Sequence, residues 1–276
     1  MNSKLLKHDL RAGILRKRVL LIPAFFLLPC LNCLQLSAAM MVRATWLDYC
    51  LSCFAGEMPI VLDIYTKDGL SIPYHWLFAV TGGLILNLDY LLLDLETEGI
   101  QFVLQTKKRT TWLISKEIWN LMSSVLYFLG AGMTAILFTV FSGGELRLDQ
   151  ISKVSQMLFP GTIIGTDGVA LWKLLLCGFV IPFGGYCMFN LLQMILCLFI
   201  KPAISLIMCL GLLVFSIYLP YPWMPGNALM GIRNMIFLED GKVWIQMIVF
   251  TICILGSLVI GAKRIRKMDL LGQEVL

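Results

Sequence analysis

The feature that most limits how this chain can fold is a series of six long apolar runs separated by polar segments. The runs lie at about residues 19–41, 75–93, 117–141, 173–200, 203–219 and 245–262. About 20 apolar residues carry a helix across ~30 Å of hydrocarbon. Inside a bilayer every backbone N–H and C=O must pair within its own segment or a closed barrel, so such runs are expected as helices. No polar stretch between them is long enough for a separate soluble domain. Composition agrees: 59% of residues are hydrophobic and 14% charged, whereas soluble domains carry about 25% charged residues. The expected fold is an all-α integral membrane protein, one transmembrane domain over residues 1–276 with six spans.

Charge sets the expected orientation. With both termini on one side, the segments on that side hold fifteen Lys and Arg and the opposite segments hold seven. Basic residues concentrate on cytoplasmic loops, so both termini are expected inside. The net charge of +5 therefore reads as topology and contact with anionic membrane lipids, and nucleic acid is not an expected partner. All seven Trp, at 46, 76, 112, 119, 172, 223 and 244, fall at or near expected span ends, as interfacial aromatics do. Residues 1–18 carry six bases with Leu5, Leu6, Leu10, Ile14 and Leu15 near helical spacing. They read as an amphipathic helix lying on the inner membrane face rather than as a signal peptide.

Prolines mark the irregular places. Pro23 and Pro29 are expected to kink the first span and Pro182-Phe-Gly-Gly185 the fourth. Lys201-Pro202 makes a very short inner turn. Pro220, Pro222 and Pro225 interrupt residues 220–244, and the apolar piece after them is too short to cross. That stretch is expected as an outer re-entrant hairpin, tolerated where protein buries it. The nine Cys mostly sit within apolar runs, where thiols act as small hydrophobes. Cys50-Leu-Ser-Cys53 falls in an expected outer loop, open to a disulfide or a metal pair. With only His8 and His75 available as further strong ligands, no metal site is expected.

Few ionisable groups lie within the spans, where buried charge usually marks function. Asp89 and Asp94, at the inner end of the second span, are the main exceptions. No His sits beside an intramembrane Glu, no midplane carboxylate suggests proton coupling, and no G-x-x-x-x-G-K-[ST] phosphate loop is present. The chain is not expected to be an enzyme. A transporter that takes its energy from another chain fits best.

Residues 94–116, DLETEGIQFVLQTKKRTTWLISK, form the longest charged break between two spans. Acids come first, then the apolar Ile100, Phe102, Val103 and Leu104, then Lys107, Lys108 and Arg109. That order suits a short helix and its dipole. Here the chain resembles the permease subunits of type-2 ABC transporters, in which an acid-x-x-Gly stretch, a short helix, an Arg and a Lys opening the third span form a coupling helix. Glu96, Gly99, Arg109 and Lys116 match those positions. The resemblance also covers the layout of amphipathic N-terminus, six spans and broken outer hairpin. It implies that Glu96, Glu98, Gly99, Phe102, Leu104, Arg109 and Lys116 couple the permease to an ATPase.

The same resemblance implies a dimer with a second permease copy, identical or paralogous, and two ABC ATPase chains that bind ATP and Mg²⁺. This chain itself needs no cofactor. It lacks the loop of importers that use separate binding proteins, which favours export from a bacterial plasma membrane. A hydrophobic or amphipathic substrate is expected, such as a peptide toxin, a bacteriocin or a drug. Asn32 and Gln35 in the first span, and Asn190 and Gln193 in the fourth, are the candidate substrate-path residues, with interhelical hydrogen bonding as the competing role. Other readings are an ATP-independent secondary transporter and a permease for antibiotic-peptide immunity or sensing.

Overall fold

A computed structural model describes residues 9, 17–59, 72–96, 99, 109–146, 153–159 and 171–267. Among these residues the fold is all helical, with no strand beyond a single bridge between Thr45 and Glu145. A 3₁₀ turn, Lys17–Leu21, leads into α1, Ile22–Ala39. There follow α2 (Trp46–Phe54), α3 (Tyr74–Asn87), α4 (Tyr90–Glu96), α5 (Arg109–Phe141), α6 (Lys153–Leu158) and α7 (Leu171–Leu175). A π-helical turn, Leu176–Val180, joins α7 to α8, Ile181–Leu196. Then come α9 (Pro202–Tyr218), a 3₁₀ turn (Pro225–Leu229), α10 (Gly231–Glu239) and α11 (Val243–Lys267).

Among the described residues, five helical stretches are long and apolar enough to cross a membrane: Lys17–Ala39, Tyr74–Leu95, Arg109–Phe141, Leu171–Leu196 and Val243–Lys267. The chain is thus built as a multi-pass membrane protein. The expected fifth span, α9, is an apolar helix of 17 residues, about 25 Å long at 1.5 Å per residue. One end of the bundle collects Arg18, Arg109, Lys201, Arg264, Arg266 and Lys267 and is called the basic end below.

Two helix starts differ from the sequence expectation, each for a local reason. The third span was expected from 117, because Arg109 and Lys116 look like loop residues. The backbone is instead already helical at Arg109, since both charges find partners that let it stay so. In the fourth span the irregularity precedes Pro182. A proline lacks its N–H and its ring clashes with the carbonyl four residues back. The π turn at Leu176–Val180 takes up that mismatch, and Pro182 then opens α8 cleanly. Pro202 likewise opens α9 after a four-residue turn.

Residues 46–54 were expected in an outer loop. They form α2, begun by a capping box in which Thr45 and Asp48 bond each other's backbone and side chains. Every residue from Leu47 to Phe54 is buried. The helix folds back along α1 as far as Pro29, whose carbonyl accepts from Ser52 Oγ at 3.2 Å, and Trp46 Nε1 donates to Gly132 O of α5. Cys50 and Cys53 are free buried thiols facing this packing, beside the equally buried Cys30 and Cys33 of α1. Burial pushes the Cys50 thiol up, away from thiolate chemistry.

The core between α1, α2, α3, α5 and α8 is aromatic. Phe26 lies against Tyr127 (centroids 4.8 Å), Tyr127 stacks on Tyr186 (5.1 Å), and Phe54 stacks on Phe128 (4.3 Å). At the end opposite the basic one, Pro225–Leu229 and α10 form two short helical pieces packed against the bundle. Gly226 to Leu229 and most of α10 are buried there. The 3₁₀ turn is held by Trp76 Nε1, which donates to Leu229 O at 2.8 Å. Where α10 begins, Ile232 N–H donates to Ala55 O at the end of α2. Gly56, at φ +75°, lies so close that a Cβ there would sit 2.5 Å from Met230 Cβ.

Candidate functional site

The site is a buried ion cluster at the basic end, built from three separate pieces of chain. On α4, Tyr90 and Asp94 are four apart, and on α5 Trp112 and Lys116 are four apart. That spacing puts each pair on one helix face. The two faces meet, and Asp9 from the N-terminal segment completes the group. Lys116 is 0% exposed and Asp94 6%. Lys116 Nζ lies 2.5 Å from Asp9 Oδ1 and 2.7 Å from Asp94 Oδ2. Ser115 Oγ donates to Asp9 Oδ2 at 2.5 Å, Tyr90 OH to Asp9 Oδ1 at 3.2 Å, and Trp112 Nε1 to Asp94 Oδ2 at 2.8 Å. The ammonium also sits 4.9 Å from the centre of the Tyr90 ring and 5.6 Å from that of Trp112, within cation–π range. Tyr90 in turn stacks on Trp119 at 3.7 Å.

One cation between two carboxylates, away from water, persists only if its geometry and hydrogen bonds offset the desolvation of three charges. Here each carboxylate has at least two donors. Gly99 closes the group from the side of the loop. A Cβ at residue 99 would fall 2.0 Å from Asp94 Oδ2 and 2.6 Å from Asp94 O, so only glycine permits this approach. Gly99 is therefore seated directly on the ion cluster.

The other end of the loop is held by Arg109. Its Nη1 donates to Ile265 O at 3.2 Å and to Arg266 O at 3.1 Å. These are among the last carbonyls of α11, where a guanidinium is favoured by the helix dipole. Arg264 ties the same helix end to the turn after α8 by donating from Nε to Leu198 O at 3.0 Å. Ile265, Leu91, Leu95, Trp112, Leu113, Ile195 and Leu198 form a small apolar cluster beneath these contacts. Arg18 pairs with Asp89 at 2.7 Å, but both are well exposed, and such pairs contribute little.

Of the residues proposed for coupling, Gly99, Arg109 and Lys116 thus lie in this assembly. Glu96 is the last residue of α4. Glu98, Phe102 and Leu104 lie outside the described residues. Lys116 has no exposed surface, and its contact toward Gly99 runs through Asp94. The two expected substrate-path pairs are not brought together. Asn32 is half-buried and Gln35 exposed on the outward side of α1. Asn190 and Gln193 are buried in α8. Asn190 joins an amide network, accepting from Asn87 Nδ2 at 3.1 Å and donating to Ser124 Oγ at 3.4 Å, while Ser123 donates to Asn87 Oδ1 at 2.7 Å. Among the described residues the Gln193 amide nitrogen and oxygen have no hydrogen-bond partner.

Sequence reasoning missed two charged residues. Asp9 was counted within an amphipathic surface helix, and nothing local marks it as the partner of a lysine 107 residues away. Arg233 was counted only among the outer bases that set orientation, yet it is a fully buried centre, 0% exposed. Its Nη1 donates to Ser216 O and Asn227 Oδ1, both at 2.5 Å, and its Nη2 to Ile217 O at 2.7 Å. Nε donates to Glu57 O at 3.1 Å and Nη2 also to Met58 O at 3.4 Å. The guanidinium therefore gathers the chain leaving α2, the end of α9 and the start of α10. Burial pushes it down to about 10, so it stays charged at neutral pH. The signal that was available was an arginine inside an otherwise apolar stretch.

Comparison with protein-family models, with curated proteins and with solved structures gives no match to this chain.

Proposed function

We propose that this chain is the permease subunit of an ATP-driven exporter of the type-2 ABC class, and that residues 97–108 receive the force from a separate ATPase. In this reading α9 is the fifth of six spans, both termini are cytoplasmic, and the basic end faces the cytoplasm of a bacterium. Residues 220–244 form the outer re-entrant hairpin. Two permease copies work with two ATPase chains, and the cargo is a hydrophobic or amphipathic molecule such as a peptide or a drug.

The observation that carries the reading is that loop 97–108 is anchored at both ends to different spans. At its start Gly99 sits on Asp94, which is ion-paired to Lys116 of α5, and Lys116 pairs in turn with Asp9 of the N-terminal segment. At its end Arg109 grips the last turn of α11. A push on such a loop moves three parts of the bundle together, whereas a slack loop would absorb it. Two-state coupling of this kind needs a contiguous element that both sites bias.

The test is to purify the chain with its ATPase in lipid nanodiscs and measure ATP hydrolysis. Arg109→Glu reverses the charge at the helix end and is expected to lower permease-stimulated hydrolysis about tenfold, a typical coupling energy. Thermal unfolding of the spans should change little. Unchanged hydrolysis, or the absence of any co-purifying ATPase, would sink the reading.

A further inference from the structure

Lys116 and Glu117 are adjacent on α5, and successive helical residues point about 100° apart. Lys116 turns inward to the ion cluster. Glu117 instead lines a groove of about 290 Å³ between α5, α8 and α11. The walls are mainly apolar, with Ile114, Ile118 and Leu121 on α5, Leu191 on α8, and Ile254 and Leu258 on α11; Asn120 and Cys187 also line it. Glu117 Oε1 is buried, and among the described residues it has no hydrogen-bond partner. Among the described residues no Lys or Arg lines the groove. An ionisable side chain with one oxygen buried beside apolar walls is costly and usually functional.

The groove opens sideways, because Ile114 and Leu121 at its rim are about half exposed. That rim belongs to a helix of membrane-crossing length, so it faces lipid. Arg109, about two turns before Glu117 on the same helix, donates to Ile265 O and Arg266 O at the basic end. The carboxylate therefore stands near the interface, with apolar wall running deeper along Leu121, Leu191 and Ile254. We infer that this groove binds a bilayer lipid with a primary-amine headgroup, its ammonium on Glu117 and an acyl chain along α5. The charge of the headgroup complements the one unneutralised group in the groove, and the chain covers the apolar walls. The inference is independent of ATP-driven transport, because it concerns the chain alone.

The experiment uses the full chain, stripped of lipid in detergent and titrated with short-chain phosphatidylethanolamine, phosphatidylglycerol and N-acetylated phosphatidylethanolamine, with retention read by native mass spectrometry. Wild type should hold phosphatidylethanolamine about tenfold tighter than the other two, as a charge-assisted hydrogen bond allows. Glu117→Gln should bring the three lipids level without loss of thermal stability, since it removes a charge that burial opposes. Leu121→Trp, which fills the groove, should weaken retention of all three. Equal retention of the three lipids by wild type would overturn the inference, as would an ethanolamine preference that survives Glu117→Gln. Glu117-dependent binding of the soluble cation rhodamine 6G with no preference for phosphatidylethanolamine would also overturn it, in favour of a soluble amphiphile.

Discussion

Lys116 at the basic end meets two carboxylates, whereas Arg233 at the opposite end is held by backbone carbonyls and one amide oxygen. Both are fully buried cations, and both join pieces of chain far apart in sequence. They differ in what is held. The partners of Lys116 are side chains, which can swing and exchange a bond for water. The partners of Arg233 are mainly carbonyls at places where helices have ended, and their positions follow from the backbone. The first arrangement suits an end of the molecule where a loop must move. The second suits an end where short helices need a fixed frame. The basic end also carries Gly99 and Arg109, so in the proposed reading the more adaptable cluster lies where the ATPase would push.

The largest effect should come from removing the cation between two acids. Lys116→Met leaves Asp9 and Asp94 buried side by side and should cost about 3–5 kcal/mol, read as a fall in the thermal unfolding midpoint in detergent. Adding Asp9→Asn and Asp94→Asn to that variant should recover most of the loss. A single variant as stable as wild type would mean that the cluster opens to water. Arg233→Met should cost about 3 kcal/mol, because several acceptors lose a donor at about 1–3 kcal/mol each. Arg233→Lys should recover only part of it, since one ammonium cannot match a planar fork of five donors. Full recovery by lysine would erase the contrast between the two ends.

A smaller cost, about 1–3 kcal/mol of overpacking, is expected for Gly99→Ala, whose Cβ would press on Asp94. Its clearer signature should be reduced stimulated ATP hydrolysis, because the seat of the loop shifts while the spans stay packed. Least of all, Arg18→Ala should change stability by less than about 1 kcal/mol, as its pairing with Asp89 is exposed. A large loss there would extend the adaptable region from the loop to the start of α1.

Much of the fold could be read from local pattern. The long apolar runs, the proline at the start of α9, the disturbance before Pro182 and the bases gathered at one end all follow from rules that act over a few residues. The candidate site was legible only in part. The acid-x-x-Gly, Arg and Lys positions were visible, but their roles were not, because the partners of Lys116 and Arg109 lie on other segments. Residues 46–54 read as loop because they are too few to cross a membrane. Yet they form a helix that fits between α1 and α5, where tight packing of Cys, Ser and aromatic side chains rewards burial.

By itself the sequence determined that the chain crosses a membrane repeatedly and that its bases favour one side, because hydrocarbon admits little except apolar helices whose backbone is internally paired. Only the tertiary structure decided what each polar residue does. Whether a charge faces water, a second charge, a set of carbonyls or bare hydrocarbon depends on which segments meet. Lys116, Glu117 and Arg233 look alike as isolated charged letters, and contact makes them an ion-pair centre, an unneutralised acid in a lipid-facing groove and a brace for helix ends.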